Sequence, residues 1–202
     1  MRIYWYILTT GYEMAMTVDG EAHDALDRVN GKPKGKKWKP VRVRRIRATK
    51  RAGCKPSDAP FMFMTGMLVL RRSAVDALRD ILDAHGELLP LEDEGGVELY
   101  LYNPRALEAL DHERSQGPRD KHGRVYAPDN HVFIPSVVEG VDIFRLREEK
   151  SGAIFLGERF LQRWKQAKLK GLDFKLAWDS ELPPEAQPNV WKSKPVKLST
   201  IR

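Results

Sequence analysis

Five histidines, one cysteine and a short acidic run are the residues of this chain whose types could support catalytic or metal chemistry. His23, His85, His112, His122 and His131 show no HExxH spacing. A zinc centre needs three or four converging ligands, and Cys54 alone supplies none of the usual cysteine pairs. No GxSxG, GxxxxGK[ST] or GxGxxG is present, so nucleophile-elbow, phosphate-loop and dinucleotide chemistry lack their signatures. Cys54 stands beside Lys55 and near Arg51, cations that favour a thiolate. No base or orienting residue accompanies it, and it reads as an incidental thiol. Glu92-Asp93-Glu94 with Glu98 lacks the spaced ligands of a calcium loop and reads as a solvated hairpin turn. Asp111 and Ser115 have the spacing of one helix face and read as a local contact at a helix end. The sequence therefore predicts no catalytic residue, no cofactor and no metal, and a protein that is not an enzyme.

Charge is the feature that remains. The formal net charge of the 202 residues is +7. Lys32 to Lys55 holds twelve Lys and Arg residues and no acid, while the rest of the chain carries 23 basic against 28 acidic side chains. The basicity is thus one segment, set in an otherwise acidic protein. Lys36, Lys37, Trp38, Arg42, Arg44, Arg45 and Arg47 are its candidate partner-binding residues, with Trp38 as the anchoring aromatic. An acidic partner surface and a plainly solvated strand both account for the run. Nucleic acid ranks below them, because charge alone does not choose among anionic partners; a nucleic-acid-binding protein using residues 32–55 is the alternative function.

The elements that would position these residues follow from periodicity and punctuation. Ile3–Leu8 predicts a first strand and is too short to span a membrane. Glu21–Val29 predicts a short helix, Gly31–Gly35 a loop and Trp38–Arg47 a strand with a basic face. Phe61–Leu70 reads as a buried strand or strand pair bent at Gly66. Ser73–His85 is the clearest helix, with Ser73 and Asp76 as a capping pair and Val75, Leu78, Ile81 and Leu82 on its apolar face. Leu88–Leu91 precedes the acidic turn, and Val97–Tyr102 follows it. Asn103 predicts an N-cap and Pro104 the first turn of a second helix. Val132–Val138 reads as a strand interrupted by Pro135. Val141–Leu146 and Ile154–Leu156 are strands; a helix after Leu156 ends with Gly171 at C′, and Phe174–Trp178 is the last strand. Leu78, Ile81, Phe144, Phe155, Phe160 and Trp164 form the expected core.

That succession resembles a family of bacterial immunity proteins of polymorphic-toxin systems, immunity family eleven. The likeness rests on Asp58-Ala59-Pro60-Phe61, the helix opened by Ser73, Glu98–Asn103, Leu110-Asp111 with Ser115, Ile143-Phe144-Arg145, and Gly171-Leu172-Asp173-Phe174. It covers roughly residues 58–178. Gly157-Glu158 stands where Ser-Glu is expected, and the basic segment lies outside the pattern. The resemblance implies an immunity protein that binds and neutralises a cognate toxin domain. The expected fold is α+β, with a mixed or antiparallel sheet and about three main helices, in one domain or two small lobes. Residues 1–178 would form it, and 179–202 would be a proline-containing tail packed only through Trp191 or loose. With one cysteine and no apolar span, a cytoplasmic protein is expected; the oligomeric state stays open between monomer and homodimer.

Overall fold

The computed structural model describes residues 1–46, 54–62, 66–147 and 153–201. In chain order the strands are β1 (Arg2–Leu8), β2 (Met14–Thr17), β3 (Val41–Ile46), β4 (Phe61–Met62), β5 (Leu68–Arg71), β6 (Gly86–Asp93), β7 (Leu99–Pro104), β8 (Ala106–Leu107), β9 (Ile143–Leu146), β10 (Ile154–Gly157) and β11 (Leu172–Asp179). The helices are α1 (Gly20–Asp27), α2 (Arg72–His85), the single turn α3 (Pro135–Val138) and α4 (Glu158–Gln166). A five-stranded sheet has the order β11-β1-β10-β9-β8, and a six-stranded sheet the order β4-β2-β3-β6-β7-β5. Both are mixed: β8 runs parallel to β9, β2 to β4 and β3 to β6, while the other neighbours are antiparallel. The fold is α+β, as the residue pattern leads one to expect.

The two sheets share a core built around α2 and α4. Leu78, Ile81 and Leu82 from α2 and Phe160, Leu161 and Trp164 from α4 join Tyr4, Tyr6, Leu156 and Phe174 of the first sheet and Leu68, Leu70 and Tyr102 of the second. Asp80 fastens the helices to each other, accepting from Arg159 Nη2 at 2.5 Å and Arg163 Nη2 at 2.7 Å. The far face of the five-stranded sheet carries a second cluster, in which Phe144 stacks on Phe155 with ring centroids 5.6 Å apart. All six residues expected in the core are fully buried. Arg145, in the same strand as Phe144, reaches into the other half of the molecule. Its Nη1 donates to Val29 O at 2.6 Å and its Nη2 to Gly66 O at 2.8 Å. Burial pulls the pKa of this guanidinium down, because desolvation disfavours its charged form.

Six local expectations are corrected. No helix follows Asn103: β7 continues to Pro104, held between β6 and β5, and the chain then pairs with β9 through β8. Ladder pairing on both sides outweighs the cap signal, and Pro104, without an N–H, falls at the strand end. Asp111 and Ser115 accordingly meet through the backbone alone, Ser115 N donating to Asp111 O at 2.9 Å; Asp111 Oδ1 accepts from Glu113 N and Arg114 N, while Ser115 Oγ bonds the backbone of Val132. Pro135 starts the single turn α3 rather than interrupting a strand. Ser73 does not cap α2, whose N-cap is Arg71 without a side-chain bond; its hydroxyl donates to Asp58 Oδ1 at 2.5 Å. After α4 the left-handed position falls on Lys168 (φ 55°), and Gly171 (φ 111°) instead opens β11. The tail is not attached only through Trp191, whose ring meets Trp5 edge-to-face at 5.0 Å while staying 58% exposed; buried Gln187, Val190 and Ile201 hold it as well. The Gln187 amide clamps Asp179, accepting from its N–H at 3.0 Å and donating to its carbonyl at 2.9 Å.

Candidate partner-binding surface

The basic segment enters through a loop tied to the six-stranded sheet. Glu87, on β6, accepts from Lys34 N at 2.6 Å and Gly35 N at 3.2 Å. Asn103, directly opposite Glu87 in the ladder, accepts from Gly31 N at 2.8 Å and donates to Lys32 O at 3.0 Å and to Glu87 Oε1 at 2.8 Å. The asparagine that reads as a helix cap is therefore the clamp of the basic loop. Lys36 and Lys37 sit in the 3₁₀ turn Gly35–Lys37, both exposed. Trp38 is half-buried, and its Nε1 donates to Pro90 O at 2.8 Å. It anchors the segment to its own sheet, so its ring is only partly available to a partner.

Strand alternation divides the arginines of β3. Val41 and Val43 are buried against Ala22, Leu26 and Val29 of the α1 region, and Arg45 shares their side of the strand. Its Nε donates to Asp93 Oδ2 at 3.2 Å and its Nη1 to Glu13 Oε2 at 3.3 Å. Glu13 is 4% exposed and also pairs with Arg71. Arg45 thus belongs to a buried network that neutralises two carboxylates. Arg42 and Arg44 point the other way and are exposed. Arg42 approaches Glu94 at 3.6 Å; among the described residues, Arg44, Lys36, Lys37 and Lys39 have no ion-pair partner. Arg47 lies outside the described residues. Half-buried Met16, paired with Arg44 across the ladder, and half-buried Ile46 share the Arg44 side. Of the candidates, Lys36, Lys37, Arg42 and Arg44 are exposed, and Arg42 and Arg44 share one face of β3 with an apolar border that charge counting missed but period-two alternation predicts.

The residues with catalytic potential serve structural ends where their bonds are seen. His85 Nε2 accepts from Asp142 N at 3.2 Å, and His112 Nδ1 from Val125 N at 3.2 Å. His131 is buried among the rings of Trp5, Phe133 and Phe155. Among the described residues no three His, Cys, Asp or Glu side chains converge as a metal site. Burial pushes the Tyr6 and Tyr102 hydroxyls far above the ordinary tyrosine range, and Tyr102 donates to Leu82 O at 2.9 Å. Two of the concave surfaces lined by described residues lie beside residues already named. One of about 570 Å³ is bordered by Glu108, His112, Arg124, Tyr126 and Arg147, with Tyr126 55% exposed. The other, of about 340 Å³, lies between α1 and the start of β3.

No helix among the described residues is long and apolar enough to cross a membrane. No curated protein matches the chain. Residues 93–179 match the model of the immunity protein family Imm11, a span a little under half of the chain that runs from the end of β6 to the end of β11. This is the family whose motifs the sequence resembles, and the match supports an immunity protein of polymorphic-toxin systems. The basic surface lies wholly outside the matched span.

Proposed function

We propose that this chain, which carries the Imm11 immunity segment over residues 93–179, is a non-catalytic inhibitor that binds a cognate toxin domain in the cytoplasm. The single observation that carries this reading is the family match. The basic surface supplies its contact: Lys36, Lys37, Arg42 and Arg44 project from a strand and a doubly clamped loop, and the long Arg42–Glu94 pair is their only ion pair among the described residues. Such an array speeds encounter with an acidic toxin face and rejects basic ones, while the half-buried Met16 and Ile46 beside it offer apolar contact area. Arg45 takes no part in this contact, because its removal would leave Glu13 and Asp93 uncompensated.

Co-expression with the cognate toxin domain, to be sought in the gene neighbouring that of this chain, tests the reading. Protection of the cell and recovery of a complex after purification are expected. Survival of toxin activity in the presence of the folded protein would reject it.

A further inference from the structure

The groove between the first turns of α1 and the start of β3 has a floor and two walls of different chemistry. Ala22, half-buried Ala25 and Pro40 make its apolar floor. Glu21 stands exposed on the α1 side and Lys39 on the other, while Arg42 borders the groove only at the strand, its side chain turned to the opposite face toward Glu94. Asp19 also borders the α1 side, but its carboxylate accepts from Ala22 N at 2.8 Å as the helix N-cap. Glu21 and Lys39 face one space without pairing with each other or with any other described residue. The groove adjoins the basic segment through Lys39, which stands between Lys37 and the start of β3.

We infer that this groove is a polar-ended anchor site for the toxin: it takes one apolar side chain flanked by a carboxylate on the Lys39 side and by a cation on the Glu21 side. The inference rests on the immunity reading above. Charge complementarity fixes the occupant, because a wholly acidic segment would leave Glu21 facing like charge, and a wholly basic one would oppose Lys39. A volume of about 340 Å³ suits one side chain entering from a partner surface rather than an extended peptide. The small floor residues matter for the same reason: alanines leave the depth that an anchor needs, and anchors in fitted pockets dominate interface energetics. The groove thereby gives the docking a direction that the basic surface, being of one sign, does not.

The test measures affinity of the full chain for the purified toxin domain encoded beside it. Wild type, Glu21→Lys, Lys39→Glu and Ala25→Trp are compared, with thermal melting as a check on folding. Each variant is expected to weaken binding by about tenfold or more, as truncating or opposing an anchor contact does. Glu21→Lys is the discriminating variant: a uniformly acidic partner would bind it more tightly than wild type, and that result would overturn the inference while keeping the immunity reading. Unchanged affinity for Ala25→Trp would overturn it as well. Amide hydrogen exchange on the wild-type complex is an independent readout. Protection at residues 20–26 and 39–42 supports the site, and its absence in a formed complex contradicts it. Failure of the wild type to bind the toxin would remove the immunity reading itself.

Discussion

The backbone N–H of Lys170 donates to Asp58 Oδ2 at 2.8 Å, joining two segments more than a hundred residues apart. The same carboxylate accepts the Ser73 hydroxyl, and Asp58 N donates to Lys170 O at 2.9 Å. Asp58 therefore fixes the approach to β4, the start of α2 and the start of β11 in one place. Asp58→Ala removes both acceptors and leaves the Lys170 N–H to find another partner. It should lower stability by about 1–3 kcal/mol, measured by denaturant unfolding. A loss within experimental error would show that the junction is held by packing alone.

Gly171, at the same junction, has φ 111°, and a Cβ there would meet Ser57 Oγ at 1.8 Å. Gly171→Ala should destabilise the fold by more than the ~1 kcal/mol cost of an ordinary backbone mismatch. Adding Ser57→Gly should recover only part of the loss, because the positive φ persists. Full recovery would assign the whole effect to the collision.

The aromatic core gives the largest expected change. Trp164 is fully buried and contacts the rings of Phe160 and Phe174 at centroid distances of 6.1 and 5.9 Å. Trp164→Ala or Phe144→Ala should cost about 3–5 kcal/mol. The Trp164 indole N–H has no acceptor among the described residues, so Trp164→Phe forfeits volume but no hydrogen bond and should cost clearly less. Equal losses for Phe and Ala at 164 would contradict this.

Much of this arrangement was legible in the sequence because packing follows periodicity. The apolar faces of α2 and α4 and the strands containing Phe144 and Phe155 lie where their spacing put them. The misreadings share a physical cause: a local signal lost to a long-range partner. Asn103-Pro104 is a good helix start, yet the β6 ladder and the 31–35 loop claim the asparagine. Ser73 is a good cap, yet Asp58 takes its hydroxyl. For the candidate surface, composition identified the segment and alternation would have separated Arg45 from Arg44. The acids that hold Arg45, Glu13 and Asp93, come from distant strands that no spacing rule connects to it.

Acid should weaken the attachment of the C-terminal region to β1. Burial alone would raise the Asp179 carboxyl pKa, but the Arg2 guanidinium at 2.8 Å and the Glu181 N–H outweigh it and hold the group below the ordinary aspartate range. A carboxylate with a depressed folded pKa stabilises the fold above its unfolded value, about 3.9, and loses that contribution as pH falls through the folded value. Wild-type stability should therefore decline below about pH 4, and Asp179→Asn should show a shallower decline over that window. Matching slopes for the two proteins would show that the pair adds nothing to the pH dependence.

The central claim is that the exposed basic residues meet the toxin while Arg45 holds the fold. Association kinetics of the purified chain with the neighbouring toxin domain test it most directly, for wild type and for Lys36→Glu/Lys37→Glu/Arg42→Glu/Arg44→Glu, with stability measured in parallel. The reversal should slow association at least tenfold and abolish protection, with stability changed by only about 0.5 kcal/mol, whereas Arg45→Ala should cost about 3–5 kcal/mol. Association unaffected by the reversal, or no toxin capture beside salt-sensitive binding to a labelled oligonucleotide, would contradict the account.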